Sequence, residues 1–124
     1  MMLNEYQYLA KGTAIFPPVL VPEVDKTTGK CQTNELSLVY PALGYAGEAG
    51  EFANKVKKVI RDDFGNLSDE KKEMLADELG DGLWYLAACA TALDMSLEEI
   101  ARNNIAKLQS RKERGVLQGS GDKR

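Results

Sequence analysis

The sequence predicts an all-α fold: a helical bundle of about four main helices in a single domain spanning residues 1–124. Three observations predict it. Four segments repeat apolar residues at the 3.6-residue period of a helix, and stretches rich in Pro, Gly, Asp and Asn separate them. No segment alternates apolar and polar residues convincingly enough for a sheet. The 124 residues are 44% hydrophobic and 28% charged, an ordinary balance for one soluble domain, and a chain this long buries roughly 68% of its unfolded surface without staples. No internal repeat is evident.

The first helix is expected over residues 3–16. Asn4 followed by Gln7 reads as a capping box with Leu3 stapled against Tyr8, and Pro17-Pro18 ends the helix. Residues 19–34 carry no helical period and read as an ordered loop or a small hairpin. The second helix is expected over residues 35–61, bent or interrupted by Pro41, and it stops in the turn Asp62-Asp63-Phe64-Gly65-Asn66. Ser68 caps the third, with Asp69 and Glu70 in the first turn where the helix dipole favours acids, and its pattern runs to Leu93. Ser96 and Glu99 form a capping box for the fourth, which reaches Arg114. The glycine-rich end from Gly115 to Arg124 cannot be helical.

Composition excludes several chemistries. The net charge is −3, from 16 basic and 19 acidic residues, which argues against a nucleic-acid polymer as the main partner. Cys31 and Cys89 form no CxxC pair, so neither a disulfide framework nor a zinc knuckle is expected. The chain has no histidine, which removes Ser-His-Asp and Cys-His nucleophiles and His-ligated zinc. Catalysis therefore runs on carboxylates, Lys, Arg, Tyr or a metal. The N-terminus lacks a signal pattern and no apolar run approaches the ~20 residues that span a bilayer, so no membrane partner and a cytoplasmic location are expected.

On the third helix, Leu75, Leu79, Leu83, Leu86, Ala90 and Leu93 fall within an arc of about 80°, the expected core stripe. Glu78, Asp81 and Tyr85 occupy a second arc of about 60°, which Ala88 and Ala92 continue where an exposed acidic face would carry lysines. On the second helix, Glu48 and Glu51 lie three apart with Lys55 one turn further. By itself Lys55 reads as an i,i+4 partner of Glu51, a pair contributing about 0.3 to 0.5 kcal/mol. Gly44, Gly47 and Gly50 recur in this helix at a cost of roughly 1 kcal/mol each relative to Ala, which points to close helix approach or room for a ligand.

The two carboxylate pairs are separated by 26 residues, enough for a turn and an antiparallel return. Four converging anions at about 4 Å repel by ~4 kcal/mol per pair at an effective dielectric near 20, so the cluster calls for cations. Oxygen-only ligands select hard ions, Mg²⁺ or Mn²⁺. The fourth helix supplies positive charge, with Asn104, Lys107, Arg111 and Arg114 on one stripe beside Leu97, Ala101, Ile105 and Leu108. From Arg102 onward seven basic residues face two acids, which suits a polyphosphate bridged to metal on one side and to Lys and Arg on the other.

In the segments Leu43-Gly-Tyr-Ala-Gly-Glu-Ala-Gly-Glu-Phe-Ala-Asn-Lys55 and Asp77-Glu-Leu-Gly-Asp-Gly-Leu-Trp-Tyr-Leu86, the sequence resembles the MazG-like nucleoside triphosphate pyrophosphohydrolases. These all-α enzymes carry ExxE followed at a distance by ExxD. Asn4-Glu-Tyr-Gln, Asn104-x-x-Lys107 and the ending from Arg114 also resemble small stand-alone, often phage-borne members. The resemblance implies cleavage of nucleoside triphosphates, dNTPs or non-standard NTPs, between the α and β phosphates to the monophosphate and pyrophosphate. It makes Glu48, Glu51, Glu78 and Asp81 the Mg²⁺ ligands and catalytic carboxylates, with Mn²⁺ as a substitute. Lys55, Lys107 and Arg111 are the expected phosphate contacts, Asn104 a contact to sugar or base and Tyr85 a stacking residue, while Trp84 reads as core. A homodimer or homotetramer is implied. A dUTPase-like or phosphoribosyl-ATP activity would use the same carboxylates, and a non-catalytic helical interaction module is the alternative of another class. The tail from Gly119 is either a passive end or a flap bringing Lys123 or Arg124 to bound nucleotide.

Overall fold

A computed structural model describes residues 1–121. Along the chain run α1 (Leu3–Lys11), β1 (Leu20–Val24), β2 (Cys31–Glu35), α2 (Val39–Asp63), α3 (Asp69–Ala92) and α4 (Leu97–Glu113). The four expected helices are present, and the legible hairpin alternative for residues 19–34 is the one adopted. Helices α2 and α3 pack along one another as an antiparallel pair, α1 lies on α3, and α4 packs on α1 and on α3.

Several local expectations are corrected. Helix α1 stops at Lys11 instead of Phe16, since Gly12 and Thr13 turn the chain back by bonding to Leu9 and Ala10 carbonyls. Asn4 and Gln7 do not form a capping box, and Tyr8 is too exposed to staple Leu3. The Asn4 carboxamide oxygen instead accepts from Ser96 Oγ at 2.6 Å. Gln7 accepts from Leu97 N at 2.8 Å and donates to the Met95 carbonyl at 2.9 Å. These side chains therefore satisfy the N-terminus of α4, not of α1. Helix α2 begins at Val39 instead of Glu35, so Pro41 is not interior to it. It stands in the first turn, where a missing N–H removes no intrahelical bond. The Ser68 cap forms as expected, accepting from Lys71 N, and Ser96 accepts from Glu99 N, but the Glu99 side chain does not return to Ser96 N to complete the expected capping box. Beyond Glu113 the described chain is non-helical, and Lys123 and Arg124 of the expected flap lie outside the described residues.

The largest correction concerns the core. It is a small cluster where α1, α3 and α4 meet: Ala10, Ala87, Ala90 and Leu97, with Leu3, Tyr6, Trp84 and Ile100 packed around them. Alanines let the three helices approach closely. Of the expected core stripe, Ala90 joins that cluster and Leu75 is half-buried, while the rest looks outward, with Leu79 at 59% exposure and Leu93 at 52%, and Leu83 and Leu86 also exposed. Ile105 and Leu108 of the α4 apolar arc are exposed too. On α3 the arc that faces α2 is the one carrying Glu78 and Tyr85. The surface totals 9517 Å², against about 6,500 Å² for a compact monomer of this mass. About 3,000 Å² of surface per chain is thus in excess, and the α3 leucines belong to it.

Candidate active site

Because α2 and α3 run antiparallel, positions summing to a nearly constant value face each other. Lys55 meets Glu78, Asp63 meets Lys71, and Gly44 meets Tyr85. Glu48 and Glu51 project from α2 toward the same place. Oxygens of Glu48, Glu51 and Glu78 lie within 4.8 Å of one another, so three of the four expected ligands converge. Asp81, one turn beyond Glu78, is exposed and stands outside that trio, yet its charge reaches Glu48.

Glu78 is the buried member, at 8% exposure. Its Oε1 takes the Lys55 ammonium, while Oε2 is buried with no hydrogen-bond partner. A buried carboxylate oxygen left unsatisfied costs ~1–3 kcal/mol or more, and a cation is the partner its position suits. Lys55 thus pairs across the helix interface with Glu78 and not, as its spacing alone had it, with Glu51. That hydrogen bond and the surrounding acids raise the Lys55 value, holding the ammonium charged. Desolvation, followed by the charges of Glu51, Asp81 and Glu78, pushes the Glu48 carboxyl above its ordinary range. Crowded like charges with one orphaned oxygen are chemically suited to a hard cation.

Beside the acids lies an aromatic cluster. The Tyr85 and Trp84 rings meet edge to face at 4.9 Å, and Phe16 packs on Trp84 at 5.4 Å and on Tyr40 at 5.0 Å. Burial, then the neighbouring Tyr40, Glu48 and Asp81, raises the Tyr85 phenol, which places it between the aromatics and the carboxylates. Trp84 donates from Nε1 to Thr13 Oγ1 at 2.8 Å, fixing the segment that carries Phe16. Tyr6 of α1 also feels Asp81, though burial is the larger cause of its raised value. Phe16, Tyr40 and Tyr6 were not among the expected site residues. A lone aromatic just before Pro17-Pro18 was the one available signal for Phe16.

The glycines of α2 divide. A Cβ on Gly44 would collide with the Tyr85 ring, whereas one on Gly47 or Gly50 would meet nothing within 4 Å. Gly44 is therefore the glycine that close packing requires. Gly44→Ala is expected to lower stability by about 1–3 kcal/mol through overpacking, while Gly47→Ala leaves it unchanged or raises it by up to ~1 kcal/mol. Urea titration followed by circular dichroism separates the two, and a Gly44→Ala midpoint at the wild-type value would show that the ring is not held on α2.

The α4 residues are not brought to the carboxylates within the chain. Among the described residues α4 makes no contact with α2. Asn104 and Lys107 are exposed, and Arg111 is buried within the α4 end of the molecule. A cavity of ≈ 290 Å³ does adjoin the site, lined by Lys55, Lys58 and Lys71 together with Asp62 and Asp63, Lys71 being paired to Asp63, and by Val59, Met74 and Leu75.

The family model of the MazG nucleotide pyrophosphohydrolase domain matches residues 41–116, which takes in all four carboxylates. The Gene 37 protein of Mycobacterium phage L5 is 46% identical over 124 residues, covering 100% of both chains. No solved structure matches.

Proposed function

The chain belongs to the MazG nucleotide pyrophosphohydrolase family, and from that premise we propose that it hydrolyses nucleoside triphosphates between the α and β phosphates in a Mg²⁺-dependent reaction. Deoxynucleotides or non-standard nucleotides are the substrates, and the products are the nucleoside monophosphate and pyrophosphate. The observation that carries this reading is the convergence of Glu48, Glu51 and Glu78 with one Glu78 oxygen buried and unsatisfied. Those three residues, with Asp81, would hold the ion. When bound, Mg²⁺ supplies charge neutralisation of the phosphates and activation of water.

The remaining roles fall to the chain's own side chains. Lys55 neutralises Glu78 while the acids have no other cation, and becomes available to a phosphate once Glu78 has one. Lys58 adds a further cation to the adjoining cavity, whose lining also carries Asp62 and Asp63. Tyr85, backed by Trp84 and Phe16, offers an aromatic surface next to the carboxylates for sugar or base. Asn104 and Lys107 reach a nucleotide only if another copy of the chain presents them, because α4 stays away from α2, and Arg111 would first have to leave its buried position. The excess of exposed surface and the outward leucines of α3 support a homodimer or homotetramer, whose interfaces bury roughly 2,000 Å² or more. Among the described residues no helix is long and apolar enough to cross a membrane, and we place the enzyme in the cytoplasm with its substrates.

The test is a panel of standard and modified NTPs and dNTPs, including dUTP and phosphoribosyl-ATP, incubated with Mg²⁺ or Mn²⁺ and resolved by chromatography and ³¹P NMR. Monophosphate and pyrophosphate in equal amounts are expected. Release of orthophosphate, or no turnover of any member with either ion, overturns the reading.

A further inference from the structure

The β1–β2 hairpin has two unlike faces. In the antiparallel register Leu20 pairs with Glu35, Val21 with Asn34, Pro22 with Thr33, Glu23 with Gln32 and Val24 with Cys31, and alternate residues point to opposite sides. One face carries Val21, Glu23, Gln32 and Asn34. It is satisfied within itself, since Gln32 and Asn34 both donate to Glu23 Oε2, at 3.2 and 2.5 Å. The other face carries Leu20, Pro22, Val24, Cys31 and Thr33, with the one charge of Glu35 at its base. Leu20 is 61% exposed and Val24 59%.

The tip is built, not slack. Asp25 Oδ1 accepts from Thr27 N and Thr28 N at 2.7 and 3.0 Å, and Gly29 turns the chain at φ 68°. Asp25 N bonds to the Lys30 carbonyl, and Leu36 N to that of Val19 at the base. Yet neither strand packs on any helix among the described residues. An isolated two-stranded hairpin is marginal in water without a surface under its apolar face. This one has a sorted apolar face, an ordered tip and nothing beneath it.

We propose that the β1–β2 hairpin is an arm whose Leu20, Pro22, Val24 and Cys31 face packs on a second copy of this chain. The occupant follows from area and charge. Each chain exposes about 3,000 Å² more than a compact monomer of its mass, more than the roughly 1,000–2,500 Å² that each partner of an obligate homodimer buries, and the arm is part of that surplus. The helical body of every copy presents an uncovered apolar counterpart along α3, at Leu79, Leu83 and Leu86. Apart from Glu35, the arm's face is uncharged, so it lies on such a stripe without burying an unpaired ion. The inference rests on the self-association proposed above and not on the hydrolytic chemistry.

Cys31 is a native reporter, because its thiol is exposed on a single chain and sits on the apolar face. Alkylation of the intact protein by iodoacetamide, with peptide mapping to separate Cys31 from Cys89, is run beside sedimentation velocity across a dilution series. Cys31 is expected to react at least about tenfold more slowly in the oligomer than in the diluted monomer. Val24→Asp, at an exposed position, keeps the helical circular dichroism, restores fast labelling and weakens association at least about tenfold. Val21→Thr, on the polar face, changes neither. A monomer at all concentrations overturns the arm and the self-association together. An oligomer whose Cys31 reacts freely overturns the arm alone, and so does protection that persists in the diluted monomer, which would place the hairpin on its own body.

Discussion

Glu48→Gln lowers kcat at least about a hundredfold, with the helical circular dichroism intact. The substitution keeps the shape of the side chain and removes one of the three charges that converge where α2 meets α3. It also relieves a conflict. Glu48 is held above its ordinary range by partial burial and by the charges of Glu51, Asp81 and Glu78, so the metal-free variant should melt no lower than wild type in EDTA. Loss of activity together with unimpaired metal-free stability is the signature of a site residue, since a structural acid would lose both. Glu99→Gln serves as the control: Glu99 is exposed and only its backbone N–H bonds to Ser96 Oγ, so turnover should be unchanged. A folded Glu48→Gln enzyme with full turnover would remove Glu48 from the chemistry.

Mg²⁺ is expected to raise the melting temperature by about 10 °C at a hundredfold excess over its dissociation constant, corresponding to about 2.7 kcal/mol of added stability. The physical source is the same crowding of anions together with the unsatisfied Glu78 oxygen. Superimposable melting curves in EDTA and in millimolar Mg²⁺ would exclude a folded carboxylate site for the ion. The effect has a defined pH dependence. The Glu48 value is higher in the folded chain than in the unfolded one, so the folded state binds that proton more tightly. Its stabilising contribution is complete below the unfolded value and is lost as pH rises through the folded value. Acidification through the carboxylate range therefore steadies the metal-free protein while protons displace the ion, and the gap between the two melting curves closes.

The sequence made the helices and the acids legible for a definite reason: both depend on spacing along one helix. Ser68 and Ser96 are short-range caps, and Glu78 is placed by its position relative to Tyr85 and Ala88 on the same helix. What depended on packing between elements was not legible. The leucine period on α3 located an apolar stripe correctly but could not say what covers it, and within the chain α2 and α1 take the flanking arcs instead. Lys55 had Glu51 in reach of its spacing, and only the antiparallel offset of α2 and α3 selects Glu78 instead. Asn4 and Gln7 satisfy a local capping pattern, yet their partners lie more than 80 residues away. Phe16 enters the site through the Trp84–Thr13 bond, which no periodicity encodes.

The bonds that tie α1 to the turn between α3 and α4 also bear on how the protein comes into being. Gln7 and Asn4 reach Thr91, Met95, Ser96, Leu97 and Glu98, closing a loop of about 90 residues at an entropic cost on the order of 4 kcal/mol. The α2–α3 hairpin closes across five residues and bears no such cost. Loop-closure entropy therefore favours an order of assembly on the ribosome in which Glu48, Glu51 and Glu78 come together first. α1 waits, already synthesised, until the start of α4 emerges to receive it. Tyr6, and the segment that presents Phe16 to Trp84, then arrive last, so the anion cluster exists in the nascent chain before the aromatic wall beside it is complete.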